Sequence, residues 1–197
     1  MSSYTIARSL IDAAHSADPK SRDGRPAELV YADRMEIWLR HLAPDASELL
    51  LLAARCQHLE RWSVPRNSYP AGRVGYLAWR KFLYGKQARR ARELLREAGV
   101  ASDEAEDAAT WISKTGLQTN PNTQLLEDAA CLVFLENEIS DFAAQHAEYS
   151  REKFVTIVGK TWRKMSPAAR KAAAGIALPP AIADIVKDAL TTSEHRT

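Results

Sequence analysis

The chain has 197 residues, with 27 Lys+Arg against 25 Asp+Glu, a net charge of +2. Hydrophobic residues make up 46% and charged residues 26%, which fits a globular chain and excludes a disordered one; the near balance of charge excludes a general electrostatic nucleic-acid binder. No apolar run reaches the ~20 residues needed to cross a bilayer, the N-terminal segment lacks a leader's apolar core, and Cys56 and Cys131 lie in separate apolar runs, so we expect a cytoplasmic protein with reduced core thiols.

Glycine is scarce, and apolar residues recur at helical spacing without strand alternation. Ile6, Leu10, Ile11 and Ala14 predict a first helix over residues 4–16. A polar loop with Asp23-Gly24 and two prolines follows. A second helix is predicted over 27–42, with Leu29, Val30, Met35, Trp38 and Leu39 inward. The next starts at Asp45 or Ser47 and runs through Leu49–Ala54 to His58; it is apolar on all sides, which predicts a buried central helix. Residues 63–72 hold Pro65 and Pro70 and read as irregular. A long helix spans 73–98 and stops at Gly99, and another runs from Ser102 to about 115. Asn120-Pro121 is a start signal for a helix to about His146, with an apolar middle over 129–135. A helix over 152–165, an Ala-rich stretch after Ser166-Pro167, and a stripe of Ile182, Ile185, Val186 and Leu190 complete the chain. The expected fold is all-α: one domain over 1–197, a compact bundle of about seven or eight helices, with 167–197 loosely packed.

Three features bear chemistry. His58 follows Leu51 and Ala54 on one helical face, which predicts an inward imidazole with a pKa near neutrality, fit for acid–base work or metal ligation. A core His bonded to a carbonyl or carboxylate is the alternative. Glu127 and Asp128 open a buried helix, where carboxylates favour the dipole. The apolar run that follows draws one of them inward, where it needs a metal, an Arg or a His. Asp128 is thus a candidate partner of His58, and Glu136 a further acid. Third, residues 61–80 hold four arginines and four large aromatics: Arg61, Trp62, Arg66, Tyr69, Arg73, Tyr76, Trp79 and Arg80. Arg73, Arg80 and Gln87 recur every seven positions, on nearly one face. Guanidinium forks suit phosphate or carboxylate, and the aromatics offer stacking faces. A structural Arg–carboxylate network using Glu60 or Glu127 is the alternative. His15, His41, His146 and His195 show no metal-ligand spacing, and Arg89-Arg90-Ala91-Arg92 reads as a solvated helix face.

These stretches resemble the family called domain of unknown function 4202 almost from end to end. The resemblance rests on Asp18-Pro19, Tyr31 through Arg34-Met35, Pro44-Asp45, Ala53-Ala54-Arg55, Gln57-His58, Arg61-Trp62, Pro65-Arg66, Pro70, Gly75-Tyr76 and Trp79-Arg80. It continues through 124–128, 130–135, His146 and 160–166. This chain carries Gln87 and Arg89 where the family has a His-Ala-Asp run. A more distant similarity is to helical HD-type metal phosphohydrolases, which also place a His near the end of a buried helix after an Ala-Ala pair. Their Asp-Ala motif is matched by Asp128-Ala129, whereas their His-Asp pair falls on Gln57-His58. This likeness implies a remotely HD-like helical arrangement and a hydrolase or lyase with a degenerate metal site.

The expected function is an enzyme acting on a small phosphorylated or carboxylated molecule. His58, Asp128 and Glu127 would be catalytic, and Arg61, Arg66, Tyr69, Arg73, Tyr76, Arg80 and Gln87 would bind substrate, with a divalent metal as a candidate cofactor. Two alternatives stand: a non-catalytic nucleotide- or RNA-binding module, and a helical scaffold whose 182–190 stripe docks a partner or a second copy as a homodimer. No membrane partner is expected.

Overall fold

Helix follows helix in this chain because about half of the described starts carry a side-chain cap and some stops a left-handed residue. Ser2 accepts the Thr5 N–H at the head of α1 (Ser3–Ser16), and Ser47 accepts the Leu50 N–H at the head of α3 (Glu48–Arg55). Between them, β1 (Ser21–Arg22) and β2 (Arg25–Pro26) pair across Asp23-Gly24, both at positive φ, as a tight hairpin turn requires. α2 (Ala27–Leu42) begins and ends where the apolar pattern predicted. α4 (Gly72–Glu97) ends before Gly99 at φ +83°, and α5 (Ser102–Ile112) follows at once. Asn120 Oδ1 accepts the N–H groups of Asn122 and Thr123 and so opens α6 (Pro121–Val133).

The computed structural model describes residues 1–194, with side chains through residue 189, and divides into two compact units, Met1–Leu126 and Glu127–Thr197. The ten α-helices of the described residues confirm an all-α protein. The expected helix over 121–146 is interrupted: residues 134–138 form a π turn, then α7 (Ile139–Gln145) follows. α8 (Arg151–Lys164), α9 (Pro167–Ala173) and α10 (Pro180–Glu194) complete the second unit. There α10 packs on α8, Arg151 meets Asp188 at 2.7 Å, and Phe142, His146, Tyr149 and Phe154 pack ring to ring. Ile182 of the expected docking stripe is turned inward, while the Leu190 side chain and His195 lie outside the described residues.

In the first unit α3 is the core helix, buried from Leu49 to Arg55 and packed by α1, α2 and α5. One buried residue on it is a cation. Arg55 is 1% exposed and donates to Asp12 of α1 and to Asp33 and Glu36 of α2. Arg8 and Arg40 close the ring on Glu36. Burial alone would raise the Glu36 pKa, but the hydrogen bonds from Arg8, Arg40 and Arg55 outweigh it and hold the carboxyl down at about 2. The network pins three helices at one point. It was invisible in the apolar pattern, which marks Arg55 only as the polar end of a run.

The segment between α3 and α4 is held as tightly. Arg66 donates to the carbonyls of Tyr69, Pro70 and Gly72, folding the loop around its guanidinium. Gly75 lies directly under this loop: a Cβ there would meet Pro70 O at 1.9 Å, so only glycine admits the contact. Trp79 Nε1 donates to Val64 O, and Glu60 meets Arg90 at 2.9 Å.

Candidate functional site

Three elements of the first unit converge on a group of partly satisfied polar side chains. On α1, Ala7, Ile11 and His15 form one buried face. His15 Nε2 donates to Arg55 O at 2.7 Å. A carbonyl only accepts, so this bond puts the ring proton on Nε2 and leaves Nδ1 as the bare acceptor of a neutral ring. Nδ1 is buried and has no hydrogen-bond partner among the described residues. Burial lowers the His15 pKa, against the Arg55 carbonyl bond, which raises it.

The second element is the head of α2. Its first turn is capped from a distance: buried Asp18 accepts the Lys20 N–H at 2.9 Å and the Glu28 N–H at 3.0 Å. Glu28 is thereby fixed, and burial raises its carboxyl pKa to about 7 although Arg61 and His15 pull it down. One turn on, the buried ring of Tyr31 provides a flat surface.

The third element is the exit from α3. The helical-face prediction for His58 fails here, because α3 ends at Arg55 and Cys56 closes it. The chain then reverses through two non-glycine residues in the left-handed region, His58 at φ +61° and Glu60 at φ +52°. Such a conformation is unfavourable for side chains of this size and persists only where the surroundings impose it. Its effect is to throw His58 back onto α2. The imidazole stacks on Tyr31 with centroids 3.9 Å apart, and Nδ1 lies 3.4 Å from Glu28 Oε2. Arg61 Nη1 lies 3.3 Å from each ring nitrogen of His58, and its guanidinium covers Trp79. His58 remains 25% exposed and Glu28 15%, so both face solvent in part. A carboxyl that titrates near neutrality, an imidazole and a guanidinium thus share one partly open recess.

The other predicted site residues of this unit have surroundings of their own. Arg66 is engaged by loop carbonyls, as described above. Arg80 lies between Tyr76 and Tyr84 on the outer side of α4 and donates to the Tyr84 hydroxyl. Arg73 is exposed and has no partner among the described residues. Tyr69 leans on Phe82, with centroids 6.2 Å apart. Gln87 is buried, and its Nε2 has no hydrogen-bond partner among the described residues. Arg73, Arg80 and Gln87 keep their seven-residue register, yet they pass from open to buried because α5 and α1 pack on α4.

Glu127 and Asp128 belong to the second unit, and both are buried. Glu127 meets Lys164 at 3.1 Å, and Asp128 accepts the backbone N–H of Ser166, the residue that caps α9. Among the described residues, no group of three or more His, Cys, Asp and Glu side chains is arranged to hold a metal ion. Cys56 is buried and free, and burial pushes its thiol up to about 12, which leaves it unreactive.

Residues 5–186, running through both units, match the family described as Domain of unknown function (DUF4202). The chain belongs to the DUF4202 family. No curated protein and no solved structure matches it. Of the polar groups in the recess of this DUF4202 member, the sequence pattern marked His58 and Arg61 but missed His15, Asp18, Glu28 and Tyr31. His15 carried a signal: it extends the Ala7–Ile11 spacing by one more turn. Asp18 and Tyr31 carried none beyond the family resemblance. Glu28 looks like an ordinary first-turn acid, and only the reversal after α3 brings His58 to it.

Proposed function

We propose that this DUF4202 member is an enzyme that moves a proton on a small anionic molecule, a hydrolase or lyase. His58 would be the acid–base group, Glu28 its positioning residue and Arg61 the cation that holds the negative charge. The observation that carries this reading is the backbone reversal at His58–Glu60, which sets the imidazole 3.4 Å from the Glu28 carboxyl. Nδ1 is turned to Glu28 and Arg61 Nη1 stands 3.3 Å from Nε2, so an anion held by Arg61 would lie beside the imidazole. A carboxyl behind an imidazole fixes its orientation and stabilises its protonated form. The raised Glu28 carboxyl pKa supports the reading, since a carboxyl that titrates near 7 can hold or release a proton beside the imidazole at that pH.

Arg61 is well placed for an anion beside His58, and stacking on Trp79 keeps its fork in one orientation. Arg73 is the other cation of the 61–80 segment available to an anion. Arg66, Glu127 and Asp128 hold protein groups in the structure, which favours structural roles for them over the catalytic and binding roles expected from sequence.

The test is turnover of a panel of phosphomonoesters, nucleotides and small carboxylated phosphates by the purified chain, beginning with p-nitrophenyl phosphate. Activity should fall about a hundredfold or more in His58→Ala while the far-ultraviolet circular dichroism is retained. In Glu28→Gln the pH–rate profile should shift as well as the rate. Equal turnover in wild type and His58→Ala, or no turnover on any member of the panel, overturns the proposal.

A further inference from the structure

On another side of the first unit, α4 and α5 enclose an open groove of about 810 Å³, a volume in the range of small-molecule sites. Its charged lining is Lys81, Lys86, Arg89 and Arg92 against Glu106 alone. The cations divide into two kinds. Arg92 donates to both oxygens of Glu106, and Lys86 reaches away to Glu60 and Ser63. Lys81 and Arg89 are exposed and have no partner among the described residues. Phe82, a large apolar ring that is 47% exposed, lines the same groove.

The floor is built from small residues, Ala78, Gly85, Ala88 and Ala109. Gly85 is the informative one. Glycine is unfavourable in the middle of a helix, and here a Cβ would meet nothing within 4 Å, so packing does not require it. What the missing side chain does is keep the groove clear midway between Phe82 and Arg89. Those two residues are seven apart on α4, on nearly one face and about 10 Å apart along the axis. Thr110 and Ser113 add hydroxyl-bearing side chains on the opposite wall.

We propose that this groove is a second ligand site, distinct from the His58 recess, and that it takes a nucleoside polyphosphate. The base stacks on Phe82, and the phosphates lie on Arg89 with Lys81 as the second positive charge. A flat ring beside unpaired cations matches the two chemistries of such a ligand: dispersion on the aromatic face, and charge-assisted hydrogen bonds to phosphate oxygens. The single aromatic in the groove's lining favours one nucleotide over a nucleic-acid strand, which would need a succession of stacking rings.

The test is calorimetric titration of the full chain with ATP and, separately, with inorganic triphosphate. ATP should bind, and Arg89→Ala should weaken it about tenfold or more. Phe82→Ala should abolish the preference for ATP over triphosphate. Gly85→Leu should remove ATP binding without lowering the melting temperature, since leucine favours helix and fills only open space. His58→Ala should leave ATP affinity unchanged. The proposal is overturned by no ATP binding at about 1 mM, by unchanged affinity in Gly85→Leu, by a loss in His58→Ala, or by tighter binding of a ten-residue oligouridylate than of ATP.

Discussion

Arg55 and His58 stand three residues apart, and their surroundings are opposite in kind. Arg55 is enclosed by Asp12, Asp33 and Glu36, each of which accepts from its fork. Its charge is fully answered, and it joins three helices. His58 sits on a strained turn, partly open to solvent, beside a Glu28 carboxyl that burial has pushed towards neutrality. A buried charge with a complete shell is a structural joint. A titratable pair partly open to solvent, held by a backbone that has to be forced into place, suits the proposed acid–base role. The same short stretch, Arg55–Arg61, supplies both.

The largest effect should come from breaking the joint. Arg55→Ala leaves three carboxylates without their shared cation and is expected to cost about 3 to 5 kcal/mol in urea unfolding. A loss below about 1 kcal/mol would mean that the network behaves as a surface one. His58→Ala, by contrast, should leave stability nearly unchanged, because alanine keeps the left-handed backbone cost that only glycine would relieve.

The two regions should also give pH dependences of opposite sign. Glu36 is depressed from 4.5 to about 2, so its stabilisation is complete above the unfolded value and is lost as the pH falls from about 4.5 through 2. Glu28 is raised from 4.5 to about 7, so the fold is favoured while it is protonated and loses stability as the pH rises from about 4.5 through 7. Each shift corresponds to on the order of 3 kcal/mol. Glu28→Gln should therefore stabilise the chain at pH 8 and have little effect at pH 4, as read by unfolding midpoints. Equal gains at both pH values would show that the carboxyl is not destabilised by burial.

The smallest effect should come from Asp18→Ala, which removes the remote cap of α2. About 1 kcal/mol is expected, together with a change in the Glu28 titration followed by carbon-13 NMR. If stability falls but the titration does not move, Asp18 is a cap alone and does not position the recess.

How much of this was legible in the sequence varies from one residue to the next. The Asp-Gly turn, the Ser47 and Asn120-Pro121 starts, the Gly99 stop and the limits of α2 are local events, decided by side-chain caps and backbone sterics within a few residues. They could be read directly. His58 and Arg61 were also marked, but for a different reason: His58 was assigned to a helical face that does not exist. The predicted Arg73–Arg80–Gln87 face kept its register and lost its meaning, because exposure along α4 depends on what packs over each turn.

By itself, the sequence determined an all-α chain, most of its helix boundaries and the polar residues worth watching, because periodicity and capping act over short range. Only the tertiary structure decided what those residues face. The left-handed reversal after Cys56 turns His58 towards Glu28, the burial of α2 raises that carboxyl, and the packing of α5 on α4 leaves Arg89 and Phe82 in one groove. Each depends on elements distant in the chain meeting in space, and the energies that decide it, burial of charge and exclusion of water, exist only once they have met.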